Sequence, residues 1–267
     1  IVFDFHNHSN YTSHTPYDYR SFTNTIGLYG EVRVDYKDYV YLTVAGRNDW
    51  GSTVEEANRT LFYPSVSLSW IPSSQFENLR ETFIDYLKFR VGYGTSANFP
   101  NPYQTRPTLN SNSNAWINSY SNNTLITNAV SGFLPNANIK PELLTEVEFG
   151  VESRMFDNLV DLELSVYRRT TTDQILSSSL AASTGFSSTL INAGRVDTDG
   201  LEVGLTLNLF QNPGTGFNWS MNNQFTAYET TVIELPVDRV DISSGVNYAI
   251  EGEAYGVFWG TYYARDD

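Results

Sequence analysis

From Ile26 to Tyr36 the side chains change character at every step. Ile26, Leu28, Gly30, Val32 and Val34 fall on one side, and Gly27, Tyr29, Glu31, Arg33 and Asp35 on the other. Successive side chains of a β-strand point to opposite faces, so the segment reads as a strand with one apolar and one polar face. The alternation recurs seven more times. Val40, Leu42 and Val44 mark a second strand over 39–47, and Phe62, Val66, Leu68 and Trp70 oppose Tyr63, Ser65, Ser67 and Ser69 in a third over 61–72. A fourth sets Leu87, Phe89, Val91 and Tyr93 against Lys88 and Arg90, and a fifth, over 145–155, sets Val147, Phe149 and Val151 against Glu146, Glu148 and Glu152. Val160, Leu162, Leu164 and Val166 face away from Asp161, Glu163 and Ser165 in a sixth over 159–169. The seventh has Leu201, Val203, Leu205, Leu207 and Leu209 opposite Glu202, Thr206 and Asn208. The eighth has Phe217, Trp219, Met221 and Phe225 opposite Asn218, Ser220, Asn222 and Gln224.

A soluble antiparallel sheet also alternates, so the connections decide. Lys37-Asp38, Phe156-Asp157-Asn158 and the stretch around Asn212-Pro213-Gly214 are tight, and 73–84 is intermediate, with room for one helical turn. Between them stand long polar segments at 48–60, 95–141 and 170–195. A structureless connection of roughly 45 residues is out of place in a compact soluble domain. Short turns on one side and long loops on the other are the habit of an outer-membrane barrel, whose strands of about 10 residues cross the bilayer at a tilt. Tyr36, Tyr39, Trp50, Trp70 and Tyr93 stand where an interfacial aromatic girdle is expected. The phase sends Val40, Leu42, Val44, Phe62, Val66, Leu68, Val203 and Leu205 to lipid, and Glu31, Arg33, Ser65, Ser67, Glu146 and Glu202 to the lumen. Lys37-Asp38, 73–84, Asp157-Asn158 and 212–216 then lie on the periplasmic side, and the long segments outside.

Composition agrees. Of 267 residues 17% are charged and 15% aromatic, with 18 Tyr and 16 Phe, and no run of 18 apolar residues offers a membrane helix. A net charge of −14, from 16 basic and 30 acidic residues, argues against nucleic acid, which needs a basic face. The absence of cysteine removes disulfide and thiolate chemistry. No signal peptide opens the sequence, and the chain reads as a piece of a longer protein.

Several segments sharpen the expectation. Tyr36-Lys37-Asp38-Tyr39-Val40-Tyr41-Leu42-Thr43, Gly46-Arg47-Asn48-Asp49-Trp50 and Phe62-Tyr63-Pro64-Ser65-Val66-Ser67-Leu68-Ser69-Trp70 resemble the barrel of the SusC/RagA-type TonB-dependent transporters of Bacteroidetes. So do Leu87-Lys88-Phe89-Arg90-Val91-Gly92-Tyr93-Gly94, Asn138-Ile139-Lys140-Pro141-Glu142 before Thr145-Glu146, and Asn192-Ala193-Gly194-Arg195-Val196 before Gly200-Leu201-Glu202. They follow in family order across roughly 24–260. The resemblance implies an all-β fold, an antiparallel transmembrane β-barrel of which these eight strands are a portion and the whole has 22. It implies no enzyme but a carrier of a large glycan or peptide solute. Its partners would be a SusD-like surface lipoprotein as lid, TonB acting through a plug, and the lipid bilayer with its lipopolysaccharide. Plug, TonB box and C-terminal closing strand are not visible in these 267 residues. A secreted β-rich adhesin or carbohydrate-binding domain is the alternative.

The loop 98–136 carries Tyr103, Trp116 and Tyr120 among asparagines, and ring faces beside amides suit capture of a solute or contact with a lid. His6, His8 and His14 stand near Asp4 in a pattern resembling the opening metal motif of PHP-type phosphoesterases, but no further histidine completes a site. An enzyme reading rests on that cluster alone, and its plain reading is a polar approach to the first strand. Asp197-Thr198-Asp199-Gly200 with Glu202 mimics a fragment of a calcium loop but is too short for one. It reads as the start of the seventh strand. No cofactor is expected beyond Ca²⁺ at an acidic outer loop. Glu146, Glu148 and Glu152 read as a charged lumen wall.

Overall fold

The computed structural model describes residues 20–117, 124–211, 214, 216–243 and 245–260. Eight long strands form one antiparallel sheet in chain order: β1 (Thr25–Tyr36), β2 (Val40–Gly51), β3 (Thr60–Trp70), β4 (Ile84–Asn98), β5 (Glu142–Met155), β6 (Val160–Thr172), β7 (Arg195–Gln211) and β8 (Asn218–Glu234). Each pairs with the strand before it, and β1 and β8 remain the two edges, so the sheet is an open wall.

The register confirms the phase read from sequence except after Leu207 in β7, where a bulge sets Phe210, not Leu209, opposite Trp219. Val44 lies between Val32 and Val66, Leu42 between Val34 and Leu68, and Leu164 between Val151 and Val203, so apolar residues meet apolar residues across the wall. This face is left exposed: Val32, Val34, Leu42, Val44, Phe62, Val66, Leu68 and Phe149 all lie open. From Ile26 to Tyr36 the band spans ten steps of about 3.3 Å. At a tilt of about 40° that is about 25 Å of height, the thickness of an outer-membrane apolar band.

The short connections share one end. Lys37 and Asp38 have φ of 51° and 58°, and Asp157 and Asn158 of 57° and 60°. Two successive left-handed residues make a turn whose twist matches that of the strands it joins. Residues Pro72–Gln75 form the helical turn expected between β3 and β4. Aromatic pairs gather at this end: Tyr36 with Tyr39 at 5.6 Å, Trp70 with Phe89 at 5.8 Å, Phe83 with Phe156 at 5.3 Å and Phe210 with Trp219 at 5.9 Å. Trp50 closes the opposite end of β2 beside Ile26. Tyr93 departs from the girdle reading, because it pairs with Val66 and Val147 in mid-wall.

Several strands outrun the boundaries expected from sequence. β2 continues through Gly51, β4 occupies Ile84–Asn98, and β6 runs on to Thr172. Above the lipid both faces meet water, so the alternation vanishes while the backbone ladder continues. Polar pairs replace the apolar ones there: Arg168 grips Asp199 at 2.6 and 2.7 Å, and the Thr198 and Thr230 hydroxyls lie 3.0 Å apart.

The long connections are built, not loose. The one after β4 contains the hairpin Leu109–Ile117 with Thr124–Val130, then the short strand Phe133–Leu134. That strand pairs in parallel with Ser188–Asn192 from the connection after β6, which pairs on its other side with Ile175–Ser179. The segment after β8 forms its own sheet from Arg239–Ser243, Asn247–Ile250 and Val257–Phe258. Cysteines introduced at Asn110 and Asn158 test the sidedness. An impermeant thiol reagent on intact cells is expected to label Asn110→Cys and spare Asn158→Cys, and the reverse would invert the topology.

Candidate functional site

The polar face of the wall carries paired charge. From β4, Lys88 meets Glu152 at 3.0 Å, and Arg90 meets Glu148 at 2.7 Å and donates to the Ser165 hydroxyl at 2.6 Å. Arg169 of β6 meets Glu146 at 2.6 Å. The three glutamates alternate on β5 because period two keeps them on one face, and the cations come from its two neighbours. Arg90 lies flat over Gly150, where any Cβ would collide with it. Higher on this face, the buried Asp49 carboxylate accepts hydrogen bonds from Arg47, at 2.8 Å, and from the Tyr63 hydroxyl. This gives Gly46-Arg47-Asn48-Asp49-Trp50 and the Phe62-Tyr63 segment a shared physical role. Each of these carboxylates is held by a cation, an arrangement suited to orienting polar groups.

The buried apolar residues lie at the long-loop end, against the polar face. Val54, Ile139 and Leu190, from three different connections, form one cluster with Phe99, Phe133 and Ile175 packed on it. Val232 of β8, Leu235 and Ala249 form a second, joined by Leu176 and Val240. Val232 pairs with Val196 on the side of Thr198 and Thr230, so the connections fold inward over the lumen mouth. Asparagines tie them. The Asn192 amide donates to the carbonyls of Lys140, at 2.7 Å, and Asp173, at 2.9 Å, and accepts from the Lys140 N–H at 2.8 Å. Asn136 donates to the Leu190 carbonyl at 2.9 Å, and Asn58 to those of Asn138 and Ile139, both at 3.2 Å. Arg106 holds Glu55 with two hydrogen bonds of 2.8 Å, which keep that carboxyl down at about 2.

These ties were not singled out from sequence, although their signal was present. Asn138-Ile139-Lys140-Pro141-Glu142 and Asn192-Ala193-Gly194 are the two halves of the clasp. Glu142 completes it, accepting from the Ile175 N–H at 2.7 Å and the Asn98 amide at 2.9 Å.

Of the residues expected to touch solute or lid, Tyr103 is half-exposed at φ 65°, and its hydroxyl accepts from the Phe22 N–H at 3.2 Å. Trp116 stands on the strand Leu109–Ile117, its backbone opposite Leu125. Tyr120, with His6, His8 and His14, lies outside the described residues. Asp197 and Asp199 belong to β7 and pair with Arg195 and Arg168.

Comparison with known proteins agrees with this geometry. The profile of the family described as TonB dependent receptor-like, beta-barrel, matches residues 3–267. TonB-dependent receptor P26 of Formosa agariphila is 31% identical over 252 residues, covering 91% of this chain and 24% of that protein. TonB-dependent receptor P3 of the same organism is 25% identical over 258 residues, covering 93% and 25%. The chain thus spans about a quarter of the length of these curated relatives. Among solved structures the RagAB peptide transporter superposes with a TM-score of 0.77 at 19% identity, over 92% of this chain and 26% of that one, which shows a shared fold.

Proposed function

The chain belongs to the TonB dependent receptor-like β-barrel family of the bacterial outer membrane, and on that premise we propose that it is part of the wall of a SusC-like importer. The solute is a large nutrient, a glycan or a peptide, and no bond is made or broken. The observation that carries this reading is the placement of the tied connections over the polar face. They narrow the mouth of a lumen whose wall offers fixed charges rather than an apolar surface. A plug remodelled through TonB would occupy the space before that wall, and a SusD-like lipoprotein would close the outer side. The RagAB neighbour, a peptide transporter by its description, fits the same plan.

Solute or lid contact falls to the connection after β4, through Tyr103, Trp116 and Tyr120. Rigid scaffolds often present function on such loops. Replacing all three by alanine in the complete transporter is expected to leave barrel assembly unchanged. Uptake or lid affinity is expected to fall about tenfold, the loss of one well-packed aromatic contact. Wild-type uptake together with wild-type lid binding would remove these rings from the reading.

A further inference from the structure

Two strand edges in the outer loops border one cleft. Among the described residues, Ile175–Ser179 is paired as a strand on one side only, with Ser188–Asn192, and Arg239–Ser243 on one side only, with Asn247–Ile250. The space between them has a volume of about 520 Å³, within the range of ligand sites. Consecutive residues line it, Leu176 to Ser179 from one strand and Arg239 to Ile242 from the other. Because neighbouring side chains point to opposite faces, a lining of consecutive residues means that the backbone edges themselves border the cleft.

The hydrogen-bond phase shows which backbone groups point into it. The Gln174 carbonyl accepts from Ala193 at 2.8 Å, and the Leu180 N–H donates to Ser187 at 3.0 Å. Even-numbered residues of this strand therefore turn toward Ser188–Asn192, and odd-numbered ones toward the free edge. The Ile175 N–H there is taken by Glu142, which leaves the N–H and C=O of Ser177 and Ser179 without a partner among the described residues. On the facing strand, the bond of Trp259 N–H to the Val246 carbonyl, at 3.2 Å, sets Ala249 against Val240. Arg239 then turns its backbone to the free edge.

We propose that this cleft captures an extended peptide, which adds as a strand to the edge at Ser177 and Ser179. The assignment rests on the transport reading above and narrows its solute to peptide. Donors and acceptors repeat along such an edge at about 6.8 Å, two residues of strand rise, which an extended peptide matches and a glycan does not. The serines leave room for varied side chains, Leu176 and Val240 give an apolar floor, and the Arg239 guanidinium lies against the rings of Tyr248 and Trp259, at 5.7 and 5.3 Å, placed for a carboxylate.

The test uses the complete transporter, a library of random decapeptides and the same library N-methylated at alternate residues. Ser177→Pro removes a cleft-facing donor and spares the ladder to Ser188–Asn192, and proline is tolerated on a strand edge. Wild-type protein is expected to retain the unmodified library at least tenfold better than the methylated one. Ser177→Pro is expected to lose that preference, and Ser183→Ala, outside the cleft lining, to keep it. Equal retention of both libraries, or an unchanged preference in Ser177→Pro, would overturn the assignment. So would slow hydrogen exchange at Ser177 and Ser179 in the unliganded transporter, since the edge would then be covered by the protein itself. Import of oligosaccharides by a transporter that retains no peptide would leave the transport reading standing and end this one, whereas failure to import any solute would end both.

Discussion

Arginine at Val44 or Val203 is expected to cost the wall about 2–4 kcal/mol near the membrane midplane, where a charge on the lipid face has no water. Val44 stands between Val32 and Val66, and Val203 between Leu164 and Phe225, all on the exposed apolar face. Ser67, one step off the phase of Val66 and Leu68, pairs with Thr43 and Gly92 on the polar face. Ser67→Arg should therefore assemble normally. Urea titration of the complete barrel in lipid vesicles reads the difference. Destabilisation by Ser67→Arg with silent Val44→Arg and Val203→Arg would mean that the faces are exchanged, since a one-residue slip moves every side chain to the other side.

The second large effect belongs to the cap. Ile139 is fully buried against Val54 and Leu190. Truncation to alanine leaves a cavity among residues that anchor three connections, and about 2–5 kcal/mol of local stability should be lost. The loss should be confined, because no wall strand contributes to that cluster's buried set. In hydrogen exchange, the amides of Ser187 and Ala193 should lose protection in Ile139→Ala, while those of β2 and β3 hold. An equal loss throughout would mean that cap and wall unfold together and that the cap is no separate unit.

How much of this was legible in the sequence follows from where solvent changes. The wall could be read because lipid on one side and water on the other force period two, and the eight strands came out in the right order and, up to the bulge after Leu207, the right phase. The signal failed at the strand ends. Residues 170–172 extend β6 beyond the lipid, beside Asp197 of β7, which meets an arginine, and no apolar face remains there to be counted. It failed more completely in the cap. Val54 and Ile139 are single apolar residues in polar stretches and Leu190 has only Ile191 beside it, and they are brought together by asparagine side chains and a short strand pairing from distant connections. No periodicity marks such residues, although the segments carrying the family resemblance contained the clasp. Tyr103 was singled out on composition, and its placement against Phe22 could not be anticipated from a local pattern.

The central claim is that one face of this sheet meets lipid and the other a lumen. The 267 residues contain no cysteine, so labels can be introduced one at a time within them. Nitroxide side chains placed singly at Leu42, Thr43, Val44 and Ala45, in the complete transporter reconstituted in bilayers, report collision with lipid-dissolved oxygen directly. Accessibility is expected to be high at Leu42 and Val44 and low at Thr43 and Ala45, repeating every second residue. A flat profile, or one with its maxima at Thr43 and Ala45, would contradict the account.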